Sequence, residues 1–248
     1  MSMETNSQGN PVNLPNLTAT NFNVAAADIS ITADPEQTVP MLSFTGQEDA
    51  FSHEFTEGSL FVQENIDRQQ SGSFVSGDIH GPVVIGYGGI YNADVVAGRN
   101  ITYSDGDLYI ENDSYGETRT TAESSRKASL ILPTHHPILH HIIETVSGDV
   151  TVDGTIARQV GVGTASGNVE IHETTTASMH VRTGSGDTDI DHTSATGGVR
   201  IDSASGDVDI KDSAASEWNI VTASGDIKTR GVVGSINPHT ASGDVDIR

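Results

Sequence analysis

The sequence predicts an all-β protein, a β-solenoid of ~19-residue repeats preceded by an N-terminal strand region. Three observations predict it. The tripeptide Ser-Gly-Asp/Asn recurs with its glycines at 148, 167, 186, 206, 225 and 243, which lie 19, 19, 20, 19 and 18 residues apart. Aligned on that glycine, the chain falls into columns of constant chemistry. Aromatic residues make up only 5% of the chain, as suits a core of stacked β-branched residues rather than one of packed rings.

The columns define the repeat. Two residues after the glycine stand Val150, Val169, Thr188, Val208, Ile227 and Val245; four after it stand Val152, Ile171, Ile190, Ile210, Thr229 and Ile247. Five before it come Ile143, Val162, Val181, Ile201 and Ile220, with Pro238 breaking the column; seven before it come His141, Val160, Met179, Val199, Trp218 and Ile236. A hydroxyl column, Thr145, Thr164, Thr183, Ser203, Thr222 and Thr240, sits three before it. Apolar residues two apart share one strand face. Each repeat therefore holds two short strands flanking a Ser-Gly-Asp turn, in which Gly is expected to supply positive φ and Asp or Asn to hydrogen-bond nearby amides. One such pair cannot bury its apolar face alone, and stacking of like columns solves this. A propeller or antiparallel meander has similar strand spacing, but side-chain type held in every column favours the solenoid.

In chain order, residues 1–16 are polar and read as a flexible arm. Residues 17–66 carry strand-like alternation, as in Ile29-Ser30-Ile31 and Leu60-Phe61-Val62, and form an N-terminal β region. Residues 67–127 are a Gly-rich β insert and loop; Ile79, Ile85, Ile90, Val95 and Ile101 recur every five or six residues, which suits short β-helix faces. Residues 128–248 open on the strand Ala128–Pro133 and continue as the regular solenoid. No stretch reads as an amphipathic helix.

Composition excludes several function classes. The 34 acidic against 12 basic residues give a formal charge of −22, which opposes nucleic-acid binding because phosphate neutralisation needs Lys and Arg. Without Cys there is no disulfide, thiolate metal site or cysteine nucleophile. No apolar run approaches the ~20 residues of a membrane-spanning helix. No secretory signal is visible, so the default location is cytoplasmic.

Candidate chemistry is sparse. His135, His136, His140 and His141 place four imidazoles, a common metal ligand, in seven residues. Strand geometry nevertheless sends His140 and His141 to opposite faces, and His141 falls in an inward column. The aspartate columns, Asp149, Asp187, Asp207, Asp226 and Asp244 beside the turn and Asp189, Asp209 and Asp246 two residues on, raise Ca²⁺ binding against turn capping. The calcium repeat motif and its period are absent, which favours capping. A β-helix lyase needs clustered carboxylates plus a basic group, and Arg182 and Arg200, in adjacent repeats, raise that reading by sharing an outer face near Asp189 and Asp209. Weak exposed pairs offsetting the acidic surface are favoured over it. Trp218, the only tryptophan, reads as core. No catalytic, cofactor-binding or metal-ligating residue is assigned, and no nucleophile elbow or nucleotide fingerprint is present.

The strand Leu130-Ile131-Leu132-Pro133, the stretch Glu144 to Gly154 (ETVSGDVTVDG) and the repeated TASGDVDI-like units resemble the DUF4097 family, over about 128–248 strongly and 17–63 weakly, with 71–112 departing from it. Proteins of that family are described as adhesin-like and built from repeated β-strands. The resemblance implies a β-solenoid with no established enzymatic activity and brings in a cell-surface setting. Fold alone does not name a function.

The expected function is thus a non-enzymatic structural or interaction protein, an adhesin-like solenoid presenting an acidic, Thr/Ser-rich surface to a partner or to itself. The sequence stops at Ile247-Arg248 inside a repeat strand, so an open edge and a homo-oligomer, end to end, are expected. A protein or glycan partner fits; nucleic acid and membrane insertion do not. The competing class is a carbohydrate-binding or carbohydrate-active β-helix of the lyase or tail-fibre type, with Tyr87, Tyr91, Tyr103 and Tyr109 as its aromatic cluster.

Overall fold

The computed structural model describes residues 11–46, 50–65 and 126–248, and between the last two only the backbone of four short strands. The N-terminal region supplies β1 (Val12–Asn13), β2 (Ala19–Asn23), β3 (Asp28–Asp34), β4 (Met41–Thr45), β5 (Phe51–Thr56) and β6 (Ser59–Glu64). The middle segment supplies β7 (Val84–Gly86), β8 (Gly89–Tyr91), β9 (Arg99–Ser104) and β10 (Asp107–Asn112). Next comes β11 (Lys127–Pro133). Each later repeat has one long and one short strand. The long strands are β12 (Pro137–Thr145), β14 (Ile156–Thr164), β16 (Thr175–Thr183), the interrupted β18 (Ser194–Ala195) and β19 (Gly198–Ser203), β21 (Ala214–Thr222) and β23 (Val233–Thr240). The short strands are β13 (Val150–Asp153), β15 (Val169–His172), β17 (Thr188–Asp191), β20 (Val208–Lys211), β22 (Ile227–Arg230) and β24 (Val245–Ile247). No helix occurs among the described residues.

Two ten-stranded sheets result, one of long strands and one of short strands. From β12 onward neighbours in both sheets run parallel and in register, Val162 beside Val181 and Val150 beside Val169. Parallel pairing removes the propeller and the meander. The columns are the core: Ile143, Val162, Val181, Ile201 and Ile220 on one side face Val150, Val169, Val208 and Ile227 on the other, and all are buried. Burial contributes ~1.5–3 kcal/mol for each such side chain. Repeats of unequal length adjust at one place, the start of the long strand. The 20-residue repeat is interrupted between β18 and β19, and the 18-residue repeat shifts register between Ala214 and Glu217.

The Ser-Gly-Asp corner is built differently from the sequence expectation. None of its glycines has positive φ. Glycine is required instead because each corner stacks directly on the one before. A Cβ on Gly167, Gly186, Gly206, Gly225 or Gly243 would be driven into the carbonyl oxygen of the preceding repeat's glycine. The hydroxyl column closes the turn, its oxygen accepting the glycine N–H three residues on at 2.9–3.0 Å in all six repeats. Positive φ occurs at the opposite corner, in Gly154, Glu173, His192, Asp212 and Gly231. The residues that follow, Thr155, Thr174, Thr193 and Ser213, are buried. Thr174, Thr193 and Ser213 donate to the carbonyl two residues back. This second hydroxyl column does not emerge from alignment on apolar residues.

The N-terminal region is woven into the solenoid rather than placed before it. β2 lies between β6 and β12 in the long-strand sheet, and β3 lies between β11 and β13 in the short-strand sheet, all four pairings parallel. β2 and β3 are in effect a first repeat without its signature. Phe22 extends the column of Ile143, Ile29 that of Val150, and Ala27 stands where the glycine would be. Alanine fits there because no like corner lies beneath it. The Glu64 carboxylate does instead, accepting the amides of Ala25, Ala26 and Ala27 at 2.8, 2.8 and 3.2 Å and pairing with Arg126 at 2.7 Å. The expected arm is also shorter at its inner end: Val12 and Asn13 pair with β4 and Leu14 is in the core, while 1–10 fall outside the described residues. In the middle segment, β7 with β8 and β9 with β10 are antiparallel hairpins, not β-helix faces. The chain between β9 and β10 is Asp105-Gly106, a two-residue hairpin signal that outweighs the loose apolar period.

Candidate functional site

The turn aspartates form a hydrogen-bonded ladder. Oδ1 of each residue accepts the backbone N–H of its equivalent on the next turn, from Asp28 to Asp149, Asn168, Asp187, Asp207, Asp226 and Asp244, at 2.8–3.0 Å. Asn168 serves as well as Asp because only one acceptor oxygen is needed. Capping of the next turn, not of the residue's own turn, is therefore what this column does. The second acidic column lies on the outer face of the short-strand sheet, where the Lys211 ammonium stands 3.4 Å from Asp189 and 3.1 Å from Asp209.

Arg182 and Arg200 do not approach those aspartates. They project from the long-strand sheet, on the opposite side of the molecule, because inward and outward positions alternate along each strand. Their partner is Asp202: Arg200 donates twice to it at 2.7 Å, His180 Nε2 donates to it at 3.0 Å, and the Arg182 Nε stands 3.2 Å from that same ring nitrogen. Partial burial works to raise the Asp202 carboxyl, but hydrogen bonds from Arg200 and His180 hold it below the ordinary carboxylate range.

The histidine cluster does not assemble. His141 is fully buried in its column, with Nδ1 2.8 Å from the Thr20 hydroxyl. Burial, with smaller contributions from His140 and His136, lowers its pKa from 6.5 to about 3, so the ring is neutral. His136 instead bonds the Leu17 carbonyl at 2.8 Å, and His135 turns the chain with φ of 66°. Among the described residues, ligand-type atoms come within 4.8 Å of one another at Asp191, His192 and Asp212, on the left-handed corner. There His192 Nδ1 lies 2.8 Å from Asp191, whose hydrogen bond raises the histidine pKa. Trp218 is core, its indole N–H donating to the Val233 carbonyl at 3.2 Å. The side chains of Tyr87, Tyr91, Tyr103 and Tyr109 lie outside the described residues.

Two surface features stand out, the first at the edge the sequence pointed to and the second not anticipated by it. The first is the last turn, where Val233, Val245 and Ile247 are exposed at 66%, 43% and 51% on the outer edges of both sheets. The second is a cleft of about 310 Å³ on the outer face of the long-strand sheet, lined by Asn21, Asn23, Phe61, Val62, Gln63, Ile142 and Glu144. No helix among the described residues is long and apolar enough to cross a membrane.

The architecture defines a class, a two-sheet parallel β-solenoid whose corners are held by hydroxyl and aspartate ladders. The Toastrack DUF4097 family model matches residues 104–248, more than half of the chain, and the chain belongs to that family. Among solved structures, that of a putative adhesin from Bacteroides fragilis is similar at 12% identity, covering 96% of this chain and 95% of that one with a TM-score of 0.39. No curated protein matches the sequence.

Proposed function

We propose that the protein is a non-enzymatic interaction scaffold, a rigid solenoid that displays acidic, Thr/Ser-rich faces and joins a second copy of itself through the apolar side chains that β24 exposes. The observation that carries this reading is the last turn. β23 and β24 each pair on one side only among the described residues; β24 exposes the apolar column residues Val245 and Ile247, and β23 presents Val233 on its outward face. Unpaired strand edges beside exposed apolar side chains favour pairing with another chain. Charge supports the location. Residues 227–248 carry three basic and two acidic side chains, a net of +1, on a chain of −22. Two such ends meet without the repulsion the rest of the surface would impose. The hydroxyl columns and the turn-aspartate ladder are engaged with backbone amides and carbonyls, which fits a structural role better than chemistry.

Light scattering on the full chain at rising concentration tests the idea. A dimer is expected, strengthened by salt because long-range repulsion between the acidic bodies is screened within ~10 Å at 0.1 M. The double substitution Val245→Lys with Ile247→Lys should return the mass to that of a monomer. A wild-type chain that stays monomeric at every concentration and salt level would sink the proposal.

A further inference from the structure

Two rows of side chains stand on the outer face of the long-strand sheet at its N-terminal end. Register places Phe61, Asn21 and Ile142 side by side across β6, β2 and β12, and Gln63, Asn23 and Glu144 side by side two residues further on. The rows are ~7 Å apart along the strands and successive side chains ~4.8 Å apart across them. Phe61 is 47% exposed although its strand is paired on both sides, so neither the core nor an open edge accounts for the ring. Around it stand three carboxamides, each able to donate and accept, and one carboxylate.

We propose that this cleft binds a neutral polysaccharide chain. A sugar ring has an apolar C–H face and a rim of hydroxyls that both donate and accept. The Phe61 ring, widened by Ile142, matches the face; Asn21, Asn23 and Gln63 match the rim, and Glu144 accepts from neighbouring hydroxyls. Convergent polar groups around an apolar platform are the usual makeup of a small-molecule site. Neutrality follows from charge, since Glu144 is the ionisable group of the cleft and the chain carries −22. An extended ligand follows from what comes next in the rows. They continue onto Gly161 and Gly163 of β14, which pair with Ile142 and Glu144. Unlike the corner glycines, these two meet no backbone clash: an added Cβ on Gly163 would find its nearest atom at 3.9 Å, and on Gly161 a flexible Ile142 methyl at 3.3 Å. Glycine inside a strand weakens it and often marks close approach by a ligand. The two residues leave a low floor that lengthens the cleft across another rung; His180 and Arg182 beyond it are turned to the Asp202 cluster.

The test presents the full chain with immobilised neutral oligomers of glucose, mannose, galactose and N-acetylglucosamine, and with oligouronates as the anionic arm. At least one neutral oligomer is expected to bind, with a Kd below about 1 mM. Phe61→Ala, an exposed position, should weaken that binding at least tenfold without lowering the melting temperature. Gly163→Gln, which fills the floor, should do the same and leave a single free sugar unaffected. No binding in the neutral panel, oligouronates binding more tightly than the neutral oligomers, or affinity indifferent to both substitutions would each overturn the assignment. The outcome is independent of self-association, which light scattering reads separately.

Discussion

His141 holds an imidazole inside a column otherwise filled by Val160, Met179 and Val199, and the ring stays neutral down to about pH 3. The unfolded chain takes up that proton near pH 6.5, so between 6.5 and about 3 it binds more protons than the folded one. Stability contributed by this residue is therefore complete above pH 6.5 and falls as the pH drops, by about 1.4 kcal/mol per pH unit. Urea unfolding of the wild type and of His141→Leu at pH 7 and pH 5 should show a loss that is about 2 kcal/mol larger in the wild type. Equal losses would mean that His141 does not titrate on unfolding. At this scale the sequence was informative about direction: alternation placed His141 inward and separated it from His140. It could not show Thr20 as the partner, because the two lie 121 residues apart and only the stacking of β2 on β12 brings them together. The same holds for Arg182 and Arg200, where period alone does not reveal which outer face a carboxylate shares.

Within the repeat, the corner is the element under the tightest constraint. Gly186 has a backbone conformation that any residue can adopt, yet an added methyl meets the Gly167 carbonyl. Gly186→Ala should therefore force the stacked turns apart and cost about 3 kcal/mol, the upper range for overpacking, or a melting temperature lower by roughly 6–12 °C in a chain of this size. Thermal unfolding beside Gly163→Ala, whose Cβ has room and which should be neutral or slightly stabilising, separates crowding from loss of flexibility. An unchanged melting temperature for Gly186→Ala would contradict the stacked geometry. The glycine column was legible and its reason was not, since positive φ and close approach leave the same mark in a sequence. Corners lacking the glycine were harder still. Ala27 and Asp28 occupy a full corner, and its signal was present: Phe22, Ile29 and Ile31 stand at the column offsets of a repeat counted from Ala27.

At the scale of the whole molecule, the acidic surface and the small aromatic content follow from one geometry. Asp or Asn is repeated because each turn needs an acceptor for the next, and Val or Ile because each rung must match its neighbour. The stacking axis was therefore legible from residue 128 onward. What escaped the sequence was threading, together with the cleft that threading creates, whose rows combine residues 21 and 23, 61 and 63, and 142 and 144. Single pairs of outward residues carry no period, and three distant pairs become a site only when β2 and β6 are laid beside β12. That threading gives the molecule mechanically unequal ends. A force applied at Arg248 loads β24 and β23, each held along one edge among the described residues, and these should peel away one turn at a time, releasing about 65 Å of chain for each 19 residues. A force on the N-terminal side reaches β2 and β3, each gripped by parallel neighbours on both edges, which have to slide before any rung is freed. Tethered at its N-terminal side and pulled from the other, the protein would behave as an anchored strap that pays out in measured lengths.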